Sequence, residues 1–139
     1  MPFLVQTLSL HSTIVASIKT PIISDDAVRV YRALNDKIGR RAENDTIHIV
    51  MDISPFDYSR RFSPERYVKV ISKIYENWHY QRTLILWIAV DPIYIDTVTY
   101  LVQKWCLPIY IRSTTGQVFD QIEAMYGDTG ILVGQETQG

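Results

Sequence analysis

The sequence predicts an α/β fold built on a mainly parallel sheet, and three observations predict it. Apolar, β-branched segments alternate along the chain with segments whose apolar residues recur at helical spacing. The run Thr83 to Val90 (Thr-Leu-Ile-Leu-Trp-Ile-Ala-Val) lacks the polar/apolar alternation of a half-exposed strand, as expected where a parallel or mixed sheet is covered on both faces. Ser63-Pro64 and Asp91-Pro92 are helix-start signals, each lying after a strand-like segment.

Taken in order, Phe3 to Leu10 alternates loosely, His11-Ser12 interrupts it, and Thr13 to Ile18 resumes with β-branched residues, which reads as two strands paired in a hairpin. Pro21 and Ser24 open a first helix, with Ser24 as cap and Asp25 and Asp26 complementing its positive end. Ala27, Tyr31, Leu34 and Ile38 fall on one face of it, and Gly39 offers a left-handed ending. Thr46 to Ile53 is a mostly apolar strand. Ser63-Pro64-Glu65 starts the second helix, whose stripe is Tyr67, Val70, Ile71, Ile74 and Trp78.

Thr83 to Val90 follows as the central strand. Asp91-Pro92 caps a third helix that runs to about Cys106, with Tyr94, Ile95, Val98, Leu101, Val102, Trp105 and Cys106 facing the core. Leu107-Pro108 breaks it, and Ile109 to Arg112 is a short strand. Thr115 starts a last helix with Val118, Phe119, Ile122, Met125 and Tyr126 inward and Gly127 closing it. Helices between successive strands demand crossovers, so four to five strands and four helices arise as successive strand-helix units, and only a hairpin-paired first strand runs antiparallel. Ile74, Trp78, Trp87, Val98 and Ile122 are expected in the core. The domain spans 1–127, and 128–139 is a short tail that holds either one strand at Ile131 to Val133 or none.

The chain has 139 residues, 47% hydrophobic and 21% charged, which suits one packed domain and excludes compositional disorder. Fourteen basic and fifteen acidic side chains leave a net charge of −1, so no global field draws phosphate backbones or anionic lipid, and nucleic acid is not expected as a partner. The longest apolar run, Leu84 to Val90, falls far short of the ~20 residues of a membrane span. One cysteine, Cys106, and a start without the basic and apolar regions of a signal peptide point to a reducing cytoplasm.

Val50-Met51-Asp52-Ile53-Ser54-Pro55-Phe56-Asp57-Tyr58 is similar to the strand of the STAS family in which apolar residues lead to Asp, apolar, Ser and then an apolar-Asp-aromatic step. Tyr110-Ile111-Arg112 with Val118-Phe119-Asp120-Gln121-Ile122-Glu123-Ala124 resembles that family's last strand and helix. The resemblance, to a group that includes the sporulation anti-anti-sigma factors, implies a SpoIIAA-like (STAS) fold and a non-enzymatic regulatory or protein-interaction role. It also implies a phosphorylated serine at the start of the second helix. Here the stretch reads Ser59-Arg60-Arg61-Phe62-Ser63-Pro64, without the family's Asp-Ser-x-Gly turn, and Ser63 reads as a helix cap rather than a phosphorylation switch.

No glycine-rich phosphate loop and no Cys/His cluster is present, so neither a cofactor, a metal nor a catalytic residue is implied. His11, His48 and His79 read as three unrelated histidines, and Cys106 as a buried, inert thiol. Asp52, Asp91 and Arg112 lie at or near the carboxyl ends of three predicted parallel strands, where open α/β sheets bind ligands, and together suit a small ligand or anion. The same residues also suit a helix cap (Asp91) and an ion pair (Asp52 with Arg112). On the third helix, Ile93, Tyr100 and Leu107 form a row almost opposite the core stripe, a candidate contact for a protein partner or a homodimer.

Overall fold

Strand alternation sorts the apolar residues of the sheet into two sets, and each set meets a different helical layer. In the computed structural model, which describes residues 3–20, 23–54 and 63–127, the strands are β1 (Phe3–Leu8), β2 (Thr13–Ile18), β3 (Thr46–Asp52), β4 (Thr83–Ala89) and β5 (Ile109–Arg112). The helices are α1 (Ser24–Gly39), α2 (Pro64–Trp78), α3 (Ile95–Lys104) and α4 (Thr115–Tyr126), with a 3₁₀ turn at Pro92–Tyr94 leading into α3. The predicted roles of Pro21, of the segment Pro55 to Phe62 and of a tail strand at Ile131 to Val133 lie outside the described residues.

The five strands lie in sequence order, β1-β2-β3-β4-β5, with β1 antiparallel to β2 and every other neighbour parallel. The expected pairing of Thr46 to Ile53 with Thr83 to Val90 is present, Thr46 opposite Thr83 and Asp52 opposite Ala89. Ile14, Ala16, Ile18, Ile47, Ile49, Met51, Leu86 and Ile88 point to a face covered by α1, α2 and α3. Val15, Val50, Trp87 and Ala89 point to the other, where α4 packs through Val118, Ile122 and Tyr126. A sheet that grows in one direction carries its three crossover helices on one side, and α4, after the last strand, folds back over the other.

Ile74, Trp87, Val98 and Ile122 are buried as expected, and β4 is covered on both faces. Trp78 is only partly buried. It ends α2 near the surface, where its indole N–H donates to Oδ1 of Asn35 at 2.6 Å.

Other local expectations are corrected. Ser24 is the first residue of α1 rather than its cap, and the oxygen that serves the helix start belongs to Asp26, which accepts from the Ile23 N–H at 3.4 Å. Gly39 is helical, with Arg40 beyond it also in the right-handed region, whereas Gly127 ends α4 at φ 61° and ψ −161°, a positive-φ extended conformation that suits glycine. The third helix stops at Lys104. Cys106 sits beyond it at φ 53° and is exposed, because a left-handed turn there carries the thiol off the helical stripe.

Candidate functional site

The strand-end residues come first because the sequence singles them out. Asp52, Ala89 and Arg112 are register neighbours across β3, β4 and β5 and share the α4 face, so the two charged residues stand two strand spacings, about 10 Å, apart with an alanine between. Asp52 turns its Oδ1 to Ser54, accepting from the backbone N–H at 3.0 Å and from the hydroxyl at 2.5 Å. Burial raises the Asp52 carboxyl above its ordinary pKa, and the two Ser54 bonds pull partly the other way. Arg112 donates to Gln121 Oε1 and to the Ile111 carbonyl, both at 2.7 Å, with its guanidinium lying over Trp87 and Tyr110. Asp91 accepts from the Ile93 N–H at 3.0 Å as cap of the 3₁₀ turn. Each of the three is engaged by its own neighbourhood.

A second polar group lies at the opposite end of the same face. His48 is fully buried on β3, and the indole N–H of Trp87 donates to its Nδ1 at 3.1 Å. Because an indole nitrogen only donates, Nδ1 is the acceptor, Nε2 carries the proton, and Nε2 donates to the Tyr126 hydroxyl at 2.8 Å. Burial, and then the neighbouring His11, lowers the His48 pKa to about 4. His11 stacks flat on Tyr126, ring centroids 3.9 Å apart, and lies 3.6 Å from Glu123. His11 and His48 are therefore joined through one tyrosine rather than unrelated. The imidazole is neutral and dry, which makes this a joint between α4 and the sheet. Among the described residues no group of His, Cys, Asp or Glu is arranged to hold a metal ion.

Tyr100, on α3, is 61% exposed, and Ile93, which the structure places in the 3₁₀ turn before α3 rather than on the helix, is 77% exposed. Leu107 does not continue their row: it packs against the core beyond the helix end. The Lys104 ammonium lies 6.0 Å from the centre of the Tyr100 ring.

Charged and apolar side chains also come together between α1 and α2. Asn35 on α1 accepts from both Trp78 and Asn77 near the end of α2, while Ser24 and Ser63, near the two helix starts, face a common cleft. The two helices thus run side by side in one direction, pinned at their carboxyl ends and open in their first halves. The opening is a cleft of about 780 Å³. Arg32 lines it from α1, and Arg66, Lys69 and Lys73 from α2, with Glu65 the one carboxylate among the lining residues. All five are exposed, whereas Ala27, Tyr31 and Val70, deeper in the cleft, are partly or fully buried. Charge on the walls thus stands over a less polar base.

Ser63 lies at the mouth of this cleft. It occupies the predicted cap position of α2, but its side chain makes no capping hydrogen bond, so the capping role expected for its hydroxyl is not met. Arg66, Lys69 and Lys73 were passed over in the sequence, where their i, i+3, i+7 stripe on α2 is the signal that could have found them. Nothing in the sequence pairs that stripe with Arg32, 34 residues earlier.

Compared with protein-family models and with curated proteins, the chain matches none.

Proposed function

We propose that this chain is a non-enzymatic regulatory or protein-interaction module with a STAS-like fold, and that it docks a protein partner through the cleft between α1 and α2. The observation that carries the reading is the gathering of four cations and one carboxylate on one cleft in a chain whose net charge is −1. A local field of that sign favours an acidic partner surface and speeds its encounter. The small-ligand alternative around Asp52, Asp91 and Arg112 has less support, since each of those side chains is held by neighbours of its own. A cytoplasmic location goes with the proposal, as the one cysteine has no internal partner for a disulfide.

A second reading, self-association through the outer side of α3, draws on the exposure of Ile93 and Tyr100. One experiment separates the two. A photo-cross-linking amino acid is placed at Val28, which lines the cleft and is 46% exposed, and in a parallel variant at Tyr100. Capture of a discrete second protein from Val28, lost when Lys69→Glu and Lys73→Glu are added, is the expected result. Adducts only from Tyr100, or capture from Val28 unchanged by the charge reversals, would overturn it.

A further inference from the structure

Resting on the cleft as the docking surface, we infer that its occupant is an acidic amphipathic helix of a protein partner. Three features of the cleft select that chemistry. The first is the spread of charge: Arg66 and Lys73 are seven residues apart on α2, about 10 Å along the axis at 1.5 Å per residue, with Lys69 between them and Arg32 on the opposite wall. A compact anion such as a single phosphate is met by one or two convergent side chains. Four cations distributed along two walls instead match carboxylates distributed along a polymer.

The second feature is shape. Two helices running side by side leave a groove between them, and a third helix laid along it packs ridges into grooves against both, with axes about 8–10 Å apart. The lining residues extend from Ser24 to Arg32 and from Ser63 to Lys73, so two to three turns of a guest helix lie within reach of both walls. The third is the character of the base. Ala27, Tyr31 and Val70, with Val28 at the rim, offer apolar surface that a purely anionic ligand would leave unused. A helix with apolar residues at i, i+3/i+4 and i+7 and acids flanking them satisfies base and walls together. The ion pair from Lys69 to Glu65, 3.6 Å long and exposed, is weak enough to exchange for a guest carboxylate.

The test selects peptides from a displayed random library on the immobilised full-length chain at low salt, then titrates synthetic copies against wild type and against Arg32→Glu/Lys69→Glu. Both sites are exposed, and a thermal melt verifies that the variant is folded. The expected result is a set of peptides with Asp or Glu at helical spacing beside Leu or Phe. They gain helical circular dichroism on binding and lose tenfold or more in affinity to the variant and to added salt. Peptides that need the cations but bind extended, or that micromolar tripolyphosphate displaces, would overturn the helix while leaving the cleft as docking surface. Peptides indifferent to the charge reversals, or a library that yields no binder, would overturn both.

Discussion

Trp87 donates its indole proton to Nδ1 of His48 across 3.1 Å, and this one bond dictates how the polar joint beneath α4 is protonated. With Nδ1 accepting, Nε2 must donate, and Tyr126 receives it. Tyr126→Phe therefore leaves a buried N–H without its acceptor, and about 1–3 kcal/mol of stability should be lost in denaturant titrations. A variant as stable as wild type would show that the hydroxyl is not what satisfies His48.

The same joint makes stability depend on pH. Unfolded, His48 takes a proton near pH 6.5; folded, only near pH 4. Between those values the unfolded chain binds more protons, so stability is complete above about pH 6.5 and is lost as the pH falls towards 4, by an amount on the order of 3 kcal/mol. Unfolding free energies across this window should rise with pH in wild type and flatten in His48→Gln. Equal slopes in the two proteins would assign the dependence to other groups.

Asp52 has the opposite sense. A buried carboxyl whose pKa is raised costs stability when it ionises, so stability from this group falls as pH rises from its unfolded value through its folded one. Asp52→Asn keeps the oxygen that Ser54 bonds and removes the charge. Its melting temperature at pH 7 should equal or exceed that of wild type. A clear drop would reveal a cation or ligand that needs the carboxylate, and would revive the strand-end site.

Ser63 stands at the start of α2 without a side-chain bond to the helix. Removing its hydroxyl should then cost less than about 0.5 kcal/mol, against about 1 kcal/mol for a working cap. A Ser63→Ala variant destabilised by the larger amount would restore the capping role.

For α3, self-association predicts an apparent mass that climbs with concentration in light scattering and stays monomeric in Ile93→Lys/Tyr100→Glu. With Leu107 partly buried against the core, the proposed row offers two large exposed apolar side chains, Ile93 and Tyr100, and association must also offset the loss of rotational and translational freedom. A wild-type protein that remains monomeric at high micromolar concentration removes this reading.

What the sequence determined by itself is the order and type of the elements. Pro64 in the first turn of α2 and the unbroken apolar run of β4 act through local sterics and burial and fall where they were expected, whereas Asp91-Pro92 opens a 3₁₀ turn and the third α-helix follows only at Ile95. Local chemistry was less decisive at helix ends: Asp26 rather than Ser24 serves the start of α1, and the turn at Cys106 exposes a thiol that the helical period had placed inside.

Only the tertiary structure decided which distant residues share a surface. The period of two along β3 already aligned Thr46, His48, Val50 and Asp52 on one face, but not that Trp87 and Tyr126 would close on His48 while Ser54 held Asp52. Likewise α2 displayed its cations in sequence, and the cleft arose only when two crossover helices on the same side of the sheet brought Arg32 opposite them. Periodicity reports which way a side chain faces within its own element. What stands across from it is set by strand order and by the side on which each helix packs, and those follow from long-range packing.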